Sequence, residues 1–151
     1  MTREFDALVA EKVMGWVWLQ WRGLATLMPD DYKSGVYGGW PLMAQVMAAR
    51  PTSEDLVITE HWDYRLPHYS TNIADAWAVA EKVSHNRRLL LTRNQDGLYL
   101  VEYRSAGTHE DSVVAGYQPT APLAICIAAL RAAGVSDTEV YAAMGKGDPQ
   151  P

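Results

Sequence analysis

Phe5, Leu8, Val9 and Val13 recur with the period of a helix and define one apolar stripe over residues 3–14, with Asp6, Glu11 and Lys12 away from it. Thr2 is the expected N-cap and Gly15 the C-terminal stop. The periodicity then shortens. Trp-Val-Trp-Leu-Gln-Trp-Arg at 16–22 is rich in residues that favour pleated structure and predicts a strand. The pattern is least regular over 23–55. There Gly35, Gly38 and Gly39 mark a loop, and Pro41 opens and Pro51 closes a short helical run from Leu42 to Ala49. A strand is expected at 56–64, broken off by Pro67. A second helix follows to about Val83, capped by Ser70 or Thr71, with Asp75 in its first turn and Ile73, Trp77 and Ala80 on one face.

The clearest short-range signal is a hairpin. Arg87–Arg93 and Leu98–Arg104 flank Asn94-Gln95-Asp96-Gly97, a polar loop ending in glycine. Setting Arg93 opposite Leu98 pairs Leu91 with Leu100 and Leu89 with Glu102 on one face. The same register pairs Leu90 with Val101, Thr92 with Tyr99 and Arg88 with Tyr103 on the other. Both faces are then apolar at their middle and need covering, which favours an α+β fold: a three-layer α/β/α sandwich around a small, mainly antiparallel sheet. An edge strand is expected near 112–117. A helix runs from Thr120, with Pro122 in its first turn, to Ala133, and packs through Leu123, Ile127 and Leu130. Ser136 and Glu139 form a capping box for a last helix over 137–144. Residues 1–145 thus form a single domain, and 146–151 a flexible tail.

Composition narrows the function. The chain has 151 residues, 48% apolar and 21% charged, which suits one soluble domain with a real core. Its single cysteine allows neither an internal disulfide nor a Cys-based zinc site. A charged N-terminus and the lack of any ~20-residue apolar run point to an intracellular, cytoplasmic protein without a membrane partner. A net charge of −5 disfavours duplex nucleic acid, whose binding rests on neutralising many phosphates. A small anion needs only a local cluster of donors.

Candidate chemistry is sparse. None of His61, His68, His85 and His109 stands four residues from another, so no helical metal pair forms; His61 and Asp63 share a strand face but do not make a site. Cys126 lies in Ala124-Ile125-Cys126-Ile127-Ala128, where a small buried hydrophobe is expected rather than a nucleophile. No nucleophile elbow, Walker loop or dinucleotide fingerprint is present, so the chain is expected to bind rather than catalyse, without metal or cofactor. One cluster departs from the acidic background. His85-Asn86-Arg87-Arg88, Arg93-Asn94 and Arg104 gather at the hairpin, with Tyr99 and Tyr103 nearby. Arginine beside an aromatic ring suits a nucleotide, the ring stacking a base and the guanidinium taking a phosphate; the alternative is that these arginines solubilise strand ends and pair with acids such as Glu102.

Three segments carry a resemblance: Asp6–Trp16, Tyr69–Trp77 and Thr120–Leu130 are similar, in this order and with a hairpin between the last two, to the helix motifs of the phage ABA-sandwich family. The resemblance implies a helix–sheet–helix sandwich, which agrees with the hairpin. Similar proteins include anti-Thoeris sponges, which hold cyclic ADP-ribose isomers made by bacterial TIR-domain enzymes, and sponges that sequester the cyclic oligonucleotides of CBASS defence. What the resemblance implies is a phage anti-defence protein in the cytoplasm of an infected or prophage-bearing bacterium. It would sequester a small anionic nucleotide uncleaved, as a homo-oligomer (dimer or hexamer). The residues expected to line the site, chosen from their chemistry, are Tyr69, Arg88, Arg93, Asn94, Tyr99, Tyr103, Arg104 and Thr120. The rival expectation is a module that inhibits a host protein directly, suggested by the aromatic segment 16–50; a third is an enzyme that degrades the signal.

Overall fold

The computed structural model describes residues 3–21, 24–29, 45–47, 57–58, 66–85, 87–105 and 113–145. The elements run α1 (Arg3–Lys12), β1 (Val17–Trp21), β2 (Leu24–Met28), β3 (Gln45–Met47), β4 (Val57–Ile58), α2 (Ile73–Ser84), β5 (Arg87–Arg93), β6 (Tyr99–Ser105), β7 (Val113–Gln118), α3 (Ala121–Ala132) and α4 (Asp137–Ala143). The strands form two sheets, ordered β3-β1-β2-β4 and β5-β6-β7. Every pairing is antiparallel except β2 with β4. The α+β sandwich expected from the sequence is the architecture observed, with its strands divided between two sheets.

Helix α3 organises the core. Its residues Pro122 to Leu130 are all buried, so every side of the helix is covered and not one stripe alone. It rests on β6 and β7, lies against α2, and also meets α1 and α4. Helix α1 is similar, with Phe5 to Ala10 buried without a break. Trp18 and Leu27, paired across β1 and β2, join the same cluster. Such all-round burial needs small residues beside large ones, which the alanines of both helices supply. At the end of α1 Gly15 adopts a φ of 78°, and the Trp16 N–H returns to the Ala10 carbonyl at 2.9 Å, so the expected stop is in place.

Five sequence expectations change. Residues 45–47, expected within a helix, pair with β1 as a strand, because β1 offers their backbone an edge. The cap of α2 is Asn72, whose Oδ1 accepts from Ala74 N at 2.8 Å and Asp75 N at 3.2 Å, in preference to Ser70 or Thr71. The buried face of α2 is Ala76, Val79 and Ala80, while Ile73 and Trp77 are 53% and 47% exposed. Asp6, expected on the solvent side of α1, is buried. The hairpin register also shifts by one: Arg93 pairs with Tyr99, Leu91 with Val101, Leu89 with Tyr103, and Arg88 with Arg104.

The physical reason for the shift lies in the turn. Gly97 takes a φ of 80°, the Asn94 N–H bonds the Leu98 carbonyl at 2.8 Å, and Asn94 Oδ1 accepts the Leu98 N–H at 2.8 Å. The loop is thus three residues closed by an Asn94–Leu98 pair, with the glycine in the left-handed region that such turns need. A slip of one residue exchanges the faces of a strand. Leu89, Val101, Tyr103 and Ala115 therefore share the face that α3 and α2 cover, and Arg88, Leu90, Thr92, Leu100, Glu102 and Arg104 share the other.

Candidate functional site

The register gathers a row of residues at the turn end of the second sheet. Arg93 of β5 pairs with Tyr99 of β6, and Tyr99 with Gln118 of β7. The ladder is irregular between Tyr99 and Val101, so the strands meet unevenly there. The chain then turns through Thr120 into α3, which brings the start of that helix to the same end. Arg93 lies with its guanidinium carbon 5.7 Å from the centre of the Tyr99 ring, within cation–π range. A Cβ added at Gly97 would stand 3.4 Å from Arg93 Nη2, so the guanidinium lies close beside the turn. Among the described residues no carboxylate pairs with Arg93, which is exposed. A cation held by a ring and open to solvent retains its donors for an anion.

The helix start contributes less than its position suggests. Thr120 Oγ1 accepts the Leu123 N–H at 3.4 Å, the Thr120 carbonyl takes the Ala124 N–H at 3.2 Å, and Pro122 has no N–H. Only the Ala121 N–H remains to point outward. Thr120 is a cap whose hydroxyl is engaged, and Asn94 is likewise engaged in closing the turn. Asn94 adjoins Arg93 in the turn, and Thr120 follows two residues after Gln118, the partner of Tyr99.

The other residues chosen from the sequence are not brought to this corner. Arg88 and Arg104 oppose each other on the far face, and Arg104 Nε binds Glu102 Oε1 at 2.9 Å. The expected approach of Arg88 to Tyr103 is absent because the register shift sends them to opposite faces. Tyr103 is fully buried and donates its hydroxyl to the Ile125 carbonyl at 3.4 Å. Burial, and next the neighbouring Cys126, push its phenol well above the ordinary tyrosine range. Tyr69 is also buried, its phenol raised first by burial and then by Asp75, Cys126 and Asp6, while its carbonyl accepts from Cys126 Sγ at 3.3 Å. Burial raises the Cys126 thiol far above its usual range, with Asp6 adding to the effect, so it is the inert core residue expected.

A polar clasp went unread in the sequence. Asp6 accepts from Arg3 Nη1 at 2.8 Å and from the Ser70 N–H at 2.8 Å, while Arg3 also reaches the Pro67 carbonyl at 3.1 Å, His68 Nδ1 at 3.1 Å and the Leu66 carbonyl. Asp75 accepts the His68 N–H at 2.9 Å. The clasp pins the segment before α2 onto α1. Its one sequence signal was Ala10, four residues after Asp6, a small residue that lets another backbone approach that side. A separate open groove of about 610 Å³ runs between Met14 and the outer side of α2, lined by Ala78, Glu81, Lys82 and His85, and includes none of the chosen residues.

Among the described residues no three His, Cys, Asp or Glu side chains converge as a metal site, and no helix is long and apolar enough to cross a membrane. His61, Asp63, His109 and the tail from 146 lie outside the described residues. In comparisons with known proteins, no curated protein and no solved structure matches. The sequence model of the phage ABA sandwich domain matches residues 7–130, which takes in α1 from Ala7, both sheets, α2 and nearly all of α3. The chain belongs to the phage ABA sandwich domain family.

Proposed function

We propose that this phage-type protein binds a small cyclic nucleotide of bacterial immune signalling, a cyclic ADP-ribose isomer or a cyclic oligonucleotide, and withholds it without cleavage. The observation that carries the reading is the Arg93–Tyr99 pair: a cation unpaired by any described carboxylate, held over a partly buried ring at the end of a sheet. The ring offers a stacking face, and the guanidinium offers a phosphate two parallel N–H donors. Binding without turnover calls for no activated nucleophile, and the one thiol of the chain is buried and held protonated.

Magnitudes limit what one corner does. A charge-assisted hydrogen bond contributes about 1.5–3 kcal/mol and a base stack about 1–3 kcal/mol. Their sum corresponds to a dissociation constant near the millimolar range, too weak for sequestration. More than one corner per ligand is therefore required, which agrees with a homo-oligomeric sponge. The alternative reading, direct inhibition of a host protein through the aromatic segment 16–50, finds less support: Trp18 is buried and donates to Glu11 Oε2 at 3.1 Å.

Titration calorimetry with cyclic ADP-ribose isomers and with cyclic di- and trinucleotides tests the proposal. Saturable heat with one class, and recovery of that ligand intact after denaturation, is the expected result. A folded protein that gives no heat with any of them contradicts it, and recovery of a cleaved product favours an enzyme.

A further inference from the structure

The second sheet has a face that α2 and α3 do not cover. Leu89, Val101 and Ala115 turn toward those helices, so the residues between them face the other way. There Arg88, Thr92, Arg104 and Gly116 are exposed, Val114 is 40% exposed, and Leu90 and Leu100 are half-buried. Strand β7 is bulged at this face. Tyr99 pairs with Gln118 and Val101 with Ala115, so Gly116 and Tyr117 together oppose Leu100. Tyr117 is 54% exposed.

Gly116 serves no need inside the fold. Among the described glycines, positive φ occurs at Gly15, Gly97, Gly134 and Gly145, and not at Gly116. The bulge does not call for it either, since the form of bulge that needs glycine holds it in the left-handed region. A Cβ added at Gly116 would meet no atom within 4 Å. A side chain would therefore fit, and a glycine inside a strand weakens it. Glycine in such a place suits the close approach of another backbone, and nothing in this chain comes that near. Charge gives the sign of the visitor. Arg88 and Arg104 stand directly opposite across β5 and β6, a like-charge contact that an anion laid over both would relieve. Glu102 takes Nε of Arg104 at 2.9 Å, and among the described residues no carboxylate pairs with Arg88. Size gives its form. Strands β5 and β6 are seven residues long, so the face measures about 10 Å by 20 Å. That is far below the ~800 Å² that each partner buries in a standard protein interface, and it fits one extended segment.

We propose that this face docks an extended acidic segment of another protein, its backbone passing over Gly116. An apolar side chain of the segment lies against Tyr117 and Val114, and its carboxylates reach Arg88 and Arg104. Leu100, opposite Gly116, stands ~13 Å along β6 from Arg104, so the apolar residue and the acid are about four positions apart. A nucleic acid fits less well, because its charge runs its whole length and this chain carries −5. The face lies behind the Arg93–Tyr99 corner, so the inference does not rest on nucleotide binding.

The test is selection of short random peptides, displayed on yeast, against the full chain. Enriched peptides are expected to carry an aromatic or aliphatic residue about four positions from Asp or Glu. Gly116→Val and Arg88→Glu should each weaken the best synthetic peptide by ~10-fold or more, and Arg93→Ala should leave it within ~2-fold. Gly116→Val also separates recognition from folding: its melting temperature should hold or rise, because the fold has room for the side chain. A fall of more than ~5 °C would return the glycine to the fold and overturn the inference. It is equally overturned by no enriched peptide, by enriched peptides without acids, or by binding indifferent to both substitutions. Phosphatidylserine vesicles that bind wild type and not Arg88→Glu would assign the face to a membrane and overturn it too. A chain that binds the acidic peptide and no nucleotide would leave this inference standing and contradict the proposed function alone.

Discussion

Tyr99 and Tyr103 sit on the same strand and the same face, four residues apart, yet they live in different worlds. Tyr103 is sealed under α3, its ring wholly buried and its hydroxyl bound to the Ile125 carbonyl. Tyr99 is only partly buried at the edge of the same core, with Arg93 over its ring and Gln118 beside it. One residue type serves as core in one place and, in the proposed function, as a surface for a ligand in the other. The difference is one of burial. Under the proposed function stability belongs to the covered end of the sheet and recognition to the open end, and substitutions should separate the two.

The largest effect should come from the covered end. Tyr103→Ala leaves a cavity against α3 and is expected to cost about 3–5 kcal/mol, read as a fall in the denaturation midpoint at unchanged m-value. Asp6→Ala comes next, at about 1–3 kcal/mol, because it strands the buried Ser70 N–H and part of the Arg3 fork; Asp6→Asn keeps an acceptor and should cost less. Tyr103→Phe removes only the long hydroxyl bond and should cost about 0.5–1.5 kcal/mol. At the open end Arg93→Ala should change stability by less than ~0.5 kcal/mol, since the pair is exposed. A large loss of stability there would break the comparison.

The buried thiol sharpens it. Burial and Asp6 both favour protonated Cys126, so a thiol-specific reagent at pH 8 should label the folded protein only as fast as it opens. Rapid labelling would mean that the floor of the covered end is accessible after all.

Much of this was legible beforehand. The helices 3–14 and 120–133 and the capping serine at 136 follow from periodicity and end signals, because those cues are local. The register of the hairpin was not, since four or three loop residues read alike until the Asn94 side chain is seen to bond Leu98. That single residue decided which arginines meet which tyrosines. It brought Arg93 onto Tyr99, which the expected register had set opposite Thr92, while Arg88 and Tyr103 were sent to opposite faces. Asp6 escaped notice because a charged residue on a helix is usually solvated, and only the tertiary approach of the 66–70 segment gives it partners. The strand at 45–47 depends wholly on the edge that β1 offers, a non-local cause that no window of sequence contains.

The central claim is that the ligand is held at the Arg93–Tyr99 end and not at the other arginines of the hairpin. Titrating the best-binding cyclic nucleotide into wild type, Arg93→Ala and Arg88→Ala in parallel is its most direct test. Arg93→Ala should lower affinity by ~10-fold or more, and Arg88→Ala, on the far face, should bind within ~2-fold of wild type. Equal affinity for wild type and Arg93→Ala, or a loss confined to Arg88→Ala, would contradict the account.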